Sequence, residues 1–305
     1  MFAGHIGEIA AFLTATSWAM SCQIYSSAGK DLGATGVTML RLPLCVLLMA
    51  ILFVCVGAEA NLEPKVILLL SASALAGLVI CDSLLYKSAM IIGPRLASLV
   101  QSLCSCITAV LGWFFLGEVI GWVGFLGIAI AISGVFFVLA DGGNLNNFPN
   151  SEAGRPLLLR GVLMALLSAV ALSVSFIIMK QAILLGSGPT WATFYRLACG
   201  SLMLILFTII RGTFIESLRS LKSHPRTWKL LPSGALVGTF GIWMSGIAVQ
   251  NTETAVATTI LALQPVVIIP INAIWEKRRP SVRAIVGTLI AFSGIAVMLM
   301  RNRLF

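Results

Sequence analysis

Charge is what this sequence has least of. Only 10% of its 305 residues are Asp, Glu, Lys or Arg, where a soluble domain carries roughly 25%. Aspartate is limited to Asp31, Asp82 and Asp141, and histidine to His5 and His224. That shortage excludes the common hydrolytic chemistries. No two aspartates pair inside apolar runs, and neither His-Glu-x-x-His nor Gly-x-Ser-x-Gly occurs. The chain is therefore expected to be no enzyme, to have no catalytic residues and to hold neither cofactor nor metal. Cysteine adds no chemistry. All seven (Cys22, Cys45, Cys55, Cys81, Cys104, Cys106 and Cys199) fall in apolar runs, where Cys acts as a small buried hydrophobe. Cys104 and Cys106, two apart on a helix, point to different faces.

Apolar residues fill the space that charge leaves. They make up 59% of the chain, and the mean hydropathy is +1.02, so too little polar material remains to coat a soluble surface. The solvent is a bilayer. A spanning helix needs about 20 apolar residues, and hydropathy marks spans at 8–29, 34–57, 65–91, 94–116, 121–140, 156–185, 189–211, 229–250, 252–275 and 281–301. A β-barrel would alternate polarity over stretches of about ten residues. These runs are continuous and rich in Leu, Ala, Ile and Gly, so the expected fold class is an all-α membrane protein with ten transmembrane helices. Met1 to Glu8 is too short for a presequence, and Trp18, Ser21, Gln23 and Tyr25 are unlike a cleaved apolar region, so the first segment is expected to stay as a span.

The sequence also echoes itself. Trp113-Phe114-Phe115-Leu116-Gly117-Glu118 parallels Ile271-Asn272-Ala273-Ile274-Trp275-Glu276 at an offset of 158. Gly127 with Ser133-Gly134 parallels Gly287 with Ser293-Gly294 at 160, and Gly33 with Arg41 parallels Gly188 with Arg196 at 155. Three landmarks in the same order predict two five-helix repeats, 1–140 and 156–305, joined by a polar linker at 141–155. Because five is odd, the second repeat enters the membrane inverted. Inverted repeats are characteristic of secondary transporters, with the substrate site between the halves.

Trp18, the early Arg in the second span of each half, the stretch Gly93-Pro94-Arg95-Leu96-Ala97-Ser98-Leu99, and Glu118 and Glu276 before Gly-rich spans resemble the EamA family of the drug/metabolite transporter superfamily. The resemblance covers nearly the whole chain. It implies a ten-helix transporter, with a central cavity lined by helices 1, 3, 4, 6, 8 and 9, that often exports amino acids or related metabolites, and a place in a bacterial inner membrane. One departure is visible: a proline common in the family's fourth and ninth spans stands here as Pro265 but is replaced around Cys106 and Ile107.

Ten spans place Lys65, Arg301 and Arg303 on one side and Lys30, Arg95, Arg155, Arg211, Arg219, Lys222, Arg226, Lys229, Lys277, Arg278, Arg279 and Arg283 on the other. Basic loops stay in the cytoplasm, which predicts termini outside it. Because the net charge of +9 is dispersed over interfacial loops, nucleic acid is not an expected partner. The expected partners are lipids, a small-molecule substrate, and a proton or substrate as counter-ion.

Five cations remain inside spans: Arg41, Lys87, Arg160, Lys180 and Arg196. Arg160 and Lys180 sit near span ends, where snorkelling suffices. Arg41 and Arg196 occupy equivalent positions, as substrate ligands or as clamps on helix-end carbonyls. Asp82 and Lys87 have no counterpart, since Phe240 and Ser245 stand at the offset of 158, and this asymmetry marks them for substrate or proton handling. Tyr86 shares a face with Asp82, whereas Lys87 lies about 140° round the helix.

A polar stripe of Ser98, Gln101, Ser105 and Thr108, with Ser102 beside it, runs along the fourth span, and Thr254, Thr258, Gln264, Pro265, Pro270 and Asn272 mirror it in the ninth. Gln101 and Gln264 are costly to bury unpaired and are expected in the cavity. Trp18, Trp243 and Tyr86 are its expected aromatic walls, and Pro265 its hinge. Trp113, Trp122, Trp191, Trp228 and Trp275 are expected as interfacial anchors. With more cations than carboxylates inside the spans, the expected substrate is a small polar metabolite with an anionic group, an amino acid or organic anion. The alternative is export of neutral or cationic amphiphiles drawn by Asp82.

Overall fold

The computed structural model describes residues 5–118, 121–139, 154–215, 219, 225–264, 266–267 and 282–299. Every element among them is a helix. The first, α1 (Ile6–Val56), is two arms in one: Gly33 at φ 70, ψ 167 leaves helical geometry and divides it. Only glycine enters that region without strain. The third apolar run is α2 (Pro64–Ala74), a π-helical stretch at Leu75–Cys81 and α3 (Asp82–Ile92). Proline opens α2, as it does α4 (Pro94–Ser102) and α8 (Pro189–Ile210). Its missing N–H costs nothing in a first turn. The remaining helices are α5 (Cys104–Leu116), α6 (Trp122–Leu139), α7 (Gly154–Leu184), α9 (Pro225–Asn251), α10 (Thr254–Leu261) and α11 (Val282–Leu299). Among the described residues, five helices are long and apolar enough to cross a membrane, at 36–56, 64–92, 156–184, 189–210 and 227–251, and shorter apolar helices accompany them.

The outer surface is apolar, with Leu47, Val54, Leu68, Phe114 and Ile210 exposed, while Ser, Thr and Gly fill the helix crossings. Lipid tails give helices no hydrophobic reason to associate, so close backbone approach and interhelical hydrogen bonds hold them. Ser73 Oγ donates to the Ser175 carbonyl and Ser175 Oγ to that of Ser73, both at 2.8 Å, joining α2 to α7.

The glycine echo is a contact. A Cβ on Gly134 would collide with Ala291 and the Gly287 carbonyl, and one on Gly294 with Ala131 and the Gly127 carbonyl. Late residues of α6 thus meet early residues of α11 and the reverse, an antiparallel crossing whose two sides exchange at the offset of 160. A second exchange is Gly7 against Thr252 and Gly161 against Ile92. This register pairs Ile92 with Thr252, so Asp82 corresponds to Ile242 and Lys87 to Ile247. The sequence alignment, taken from the Glu118 echo, was two residues out at this helix.

The fourth span breaks without a proline. Leu103 N–H bonds the Val100 carbonyl at 3.2 Å, three residues back, separating α4 from α5. Leu263 does the same to Ile260 at 3.1 Å, at the same offset of 160. Pro265, the expected hinge, lies outside the described residues, as do Pro270, Asn272, Trp275 and Glu276.

Candidate functional site

Polar side chains in a membrane helix must turn toward protein or a watery cavity, because lipid offers them nothing. Here they converge on one cavity of about 680 Å³, including its open mouth. Trp18, Arg41, Asp82, Tyr86, Gln101, Arg196 and Gln264, seven of the nine expected ligands, line it.

Arg41, on the second arm of α1, is buried and hydrogen-bonds through Nη2 to Asp82 Oδ2 on α3. Its guanidinium also lies 5.1 Å from the Tyr25 ring centre and 5.3 Å from that of Tyr86. Two ring faces and a carboxylate hold this cation, and its Nε has no partner among the described residues. Arg196 on α8 is equally buried but differently served. Its Nη2 donates to Ser175 Oγ at 2.9 Å, its Nη1 contacts the Met179 sulfur, and its Nε has no partner among the described residues. Among the described residues neither arginine clamps helix-end carbonyls as the clamp alternative expected. Lys180 does so instead, donating to the carbonyls of Val249 and Thr252 at the end of α9.

The difference between the arginines follows from the missing counterpart of Asp82, which the sequence already indicated. Arg41 faces Asp82, and the place of Asp82 in the second half is taken by Ile242. The π-helical stretch completes the wall with Gly77, Leu78 and Cys81. A Cβ on Gly77 would sit 2.4 Å from Ser175 Oγ and 3.1 Å from Arg196 Nη2, so the missing side chain makes room for that guanidinium.

Gln101 Nε2 donates to Ser168 Oγ at 3.1 Å, with Cys81 Sγ at 3.5 Å, while Gln264 Nε2 reaches the Trp18 carbonyl at 3.5 Å. Trp18 stacks on Phe176, centroids 6.4 Å apart and planes 26° from parallel. These two rings and both glutamines also border a smaller adjoining cavity walled by Ser98, Ser102 and Thr258. Ser105 and Thr108 are buried in local bonds and line neither cavity.

Two expected ligands are elsewhere. Lys87 is exposed on the outer side of α3, since one residue beyond Tyr86 is about 100° round the helix. Trp243 donates its indole N–H to Thr190 Oγ1 at 3.1 Å and packs on Phe240, a structural anchor outside the cavity wall. Trp113, Trp122 and Trp228 are exposed, but Trp191 is buried and donates to the Asn61 carbonyl at 2.9 Å. Phe176 on the cavity wall and Tyr25 against Arg41 were not expected. An aromatic near Arg41 was the available signal for Tyr25, whereas nothing in the apolar run around Phe176 distinguishes it.

The model of the EamA-like transporter family matches residues 5–140 and 159–300. The chain belongs to the EamA-like transporter family. It is accordingly an integral multi-pass membrane protein and a transporter of the drug/metabolite superfamily, for which a small-molecule substrate and surrounding lipid are implied. This EamA chain is similar in fold to a solved crystal structure of a protein at TM-score 0.72 and 17% identity, over 99% of this chain and 98% of that one. No curated protein matches it.

Proposed function

We propose that this EamA protein is a secondary transporter, an exporter of a small anionic metabolite, working by alternating access. In this reading ten helices form two inverted repeats, 1–140 and 156–305, that rock about the cavity in a bacterial inner membrane, with both termini outside the cytoplasm. The protein has no catalytic role and uses no cofactor or metal. A proton or a second substrate molecule is the counter-ion.

The observation that carries the reading is the charge of the wall. Arg41 and Arg196 line the cavity against the single carboxylate of Asp82 among the described residues. Asp82 is bonded to Arg41, which weakens the alternative in which it attracts lipophilic cations. An amino acid or an organic anion fits this excess. Counterflow into proteoliposomes tests it, with a panel of amino acids, organic acids and lipophilic cations. Exchange of carboxylate-bearing compounds is expected, and preferential exchange of lipophilic cations would overturn the reading.

A further inference from the structure

We propose that the cavity selects a monocarboxylate lacking an ammonium group, an organic acid with one charged head and a compact apolar body. The inference rests on the anion-transport reading and narrows it.

Three charges on the described wall decide the head group: Arg41 and Arg196 against Asp82, a sum of +1. Arg41 and Asp82 neutralise one another through their hydrogen bond, and Tyr25 and Tyr86 add their faces to Arg41. Arg196 has no carboxylate hydrogen-bonded to it: it holds a hydroxyl and a thioether, Asp82 acts on it only through space, and its Nε, like that of Arg41, has no hydrogen-bond partner among the described residues. A carboxylate supplies the charge and the paired lone pairs that a guanidinium fork matches. An amino acid brings an ammonium as well. Its only described anionic partner would be Asp82, and seating it there would strip Arg41 of its counter-charge. A dianion brings one negative charge more than the wall balances. The same cavity is also lined by the Trp18–Phe176 stack, Leu78, Leu172 and Ile242, apolar surface suited to a ring or a branched chain.

Three compounds on one skeleton separate the possibilities: 3-phenylpropionate, L-phenylalanine and phenethylammonium. Binding is read by thermal stabilisation of the purified protein, and transport by competition with labelled 3-phenylpropionate in proteoliposomes. We expect 3-phenylpropionate to bind about tenfold or more tighter than L-phenylalanine, the scale of an unpaired buried charge, and phenethylammonium to bind least. Equal or tighter binding of L-phenylalanine overturns this inference and leaves the anion-transport reading standing. Preference for phenethylammonium overturns both. Binding of none of the three overturns the inference alone, and the wider panel then judges the anion reading.

Arg196→Gln should abolish the preference for 3-phenylpropionate over L-phenylalanine, and a retained preference counts against the proposal. Asp82→Asn provides an independent gain of function. It raises the wall charge from +1 to +2, so the dianion benzylsuccinate should gain on 3-phenylpropionate by about tenfold. No gain in a folded variant overturns the charge count on which the inference stands.

Discussion

Glu118, just past the end of α5 in the first half of the chain, closes the first turn of a helix in the second through Thr254. Both of its carboxylate oxygens lie 2.9 Å from the Thr254 backbone N–H, and Oε1 accepts the Thr254 hydroxyl at 2.7 Å. A carboxylate at a helix N-terminus meets unpaired N–H groups and the positive end of the dipole. Lys180 grips the carbonyls just before it, so the turn between α9 and α10 is held by an anion on its N–H side and a cation on its C=O side.

Glu118→Ala is expected to lower stability by about 1–3 kcal/mol, the cost of leaving buried donors unserved. Glu118→Gln should recover part of the loss, because its amide oxygen still accepts. Thermal unfolding of the purified protein in detergent measures both, and substrate affinity should be unchanged, since Glu118 lies outside the cavity wall.

Asp82→Ala leaves the Arg41 guanidinium buried without its counter-charge. Removing one partner of such a pair costs about 3–5 kcal/mol, whereas replacing both by apolar groups is often near neutral. Arg41→Met combined with Asp82→Ala should therefore be more stable than Asp82→Ala alone. A double-mutant cycle on unfolding tests this, and simple additivity would show that the two residues are not coupled.

Gly77→Ala forces a methyl group against Ser175 and Arg196. Overpacking of this kind costs about 1–3 kcal/mol. Substrate affinity should fall with it, because Arg196 lines the cavity. Gly188→Ala is the comparison, since its Cβ would meet open space and its φ is ordinary, and it should change neither quantity.

Lys87→Met should leave transport rate and affinity within about twofold of the parent, the range of a surface substitution. Lys87 is exposed and absent from the described cavity wall. A large loss in proteoliposome counterflow would place it on the substrate's path.

Scarcity of charge dictated the bilayer, and continuous apolar runs dictated helices, because a backbone in lipid must bond to itself. Cost of burial also located Arg41, Asp82, Gln101, Arg196 and Gln264, since a polar group that lipid rejects turns inward. The glycine echo of Gly134 and Gly294 was equally legible, but not that the two crossings exchange. Hydropathy reports depth in the membrane and says little about which way round a helix a side chain points. Only packing resolved that Tyr86 faces the cavity while its neighbour Lys87 faces out, that Tyr25 stacks on Arg41, and that a π-helical stretch opens the wall beside Arg196. Pairing was likewise a tertiary matter. The sequence already showed that Asp82 does not repeat, but that its carboxylate bonds Arg41 while Arg196 takes Ser175 and Met179 was decided by which helices pack together.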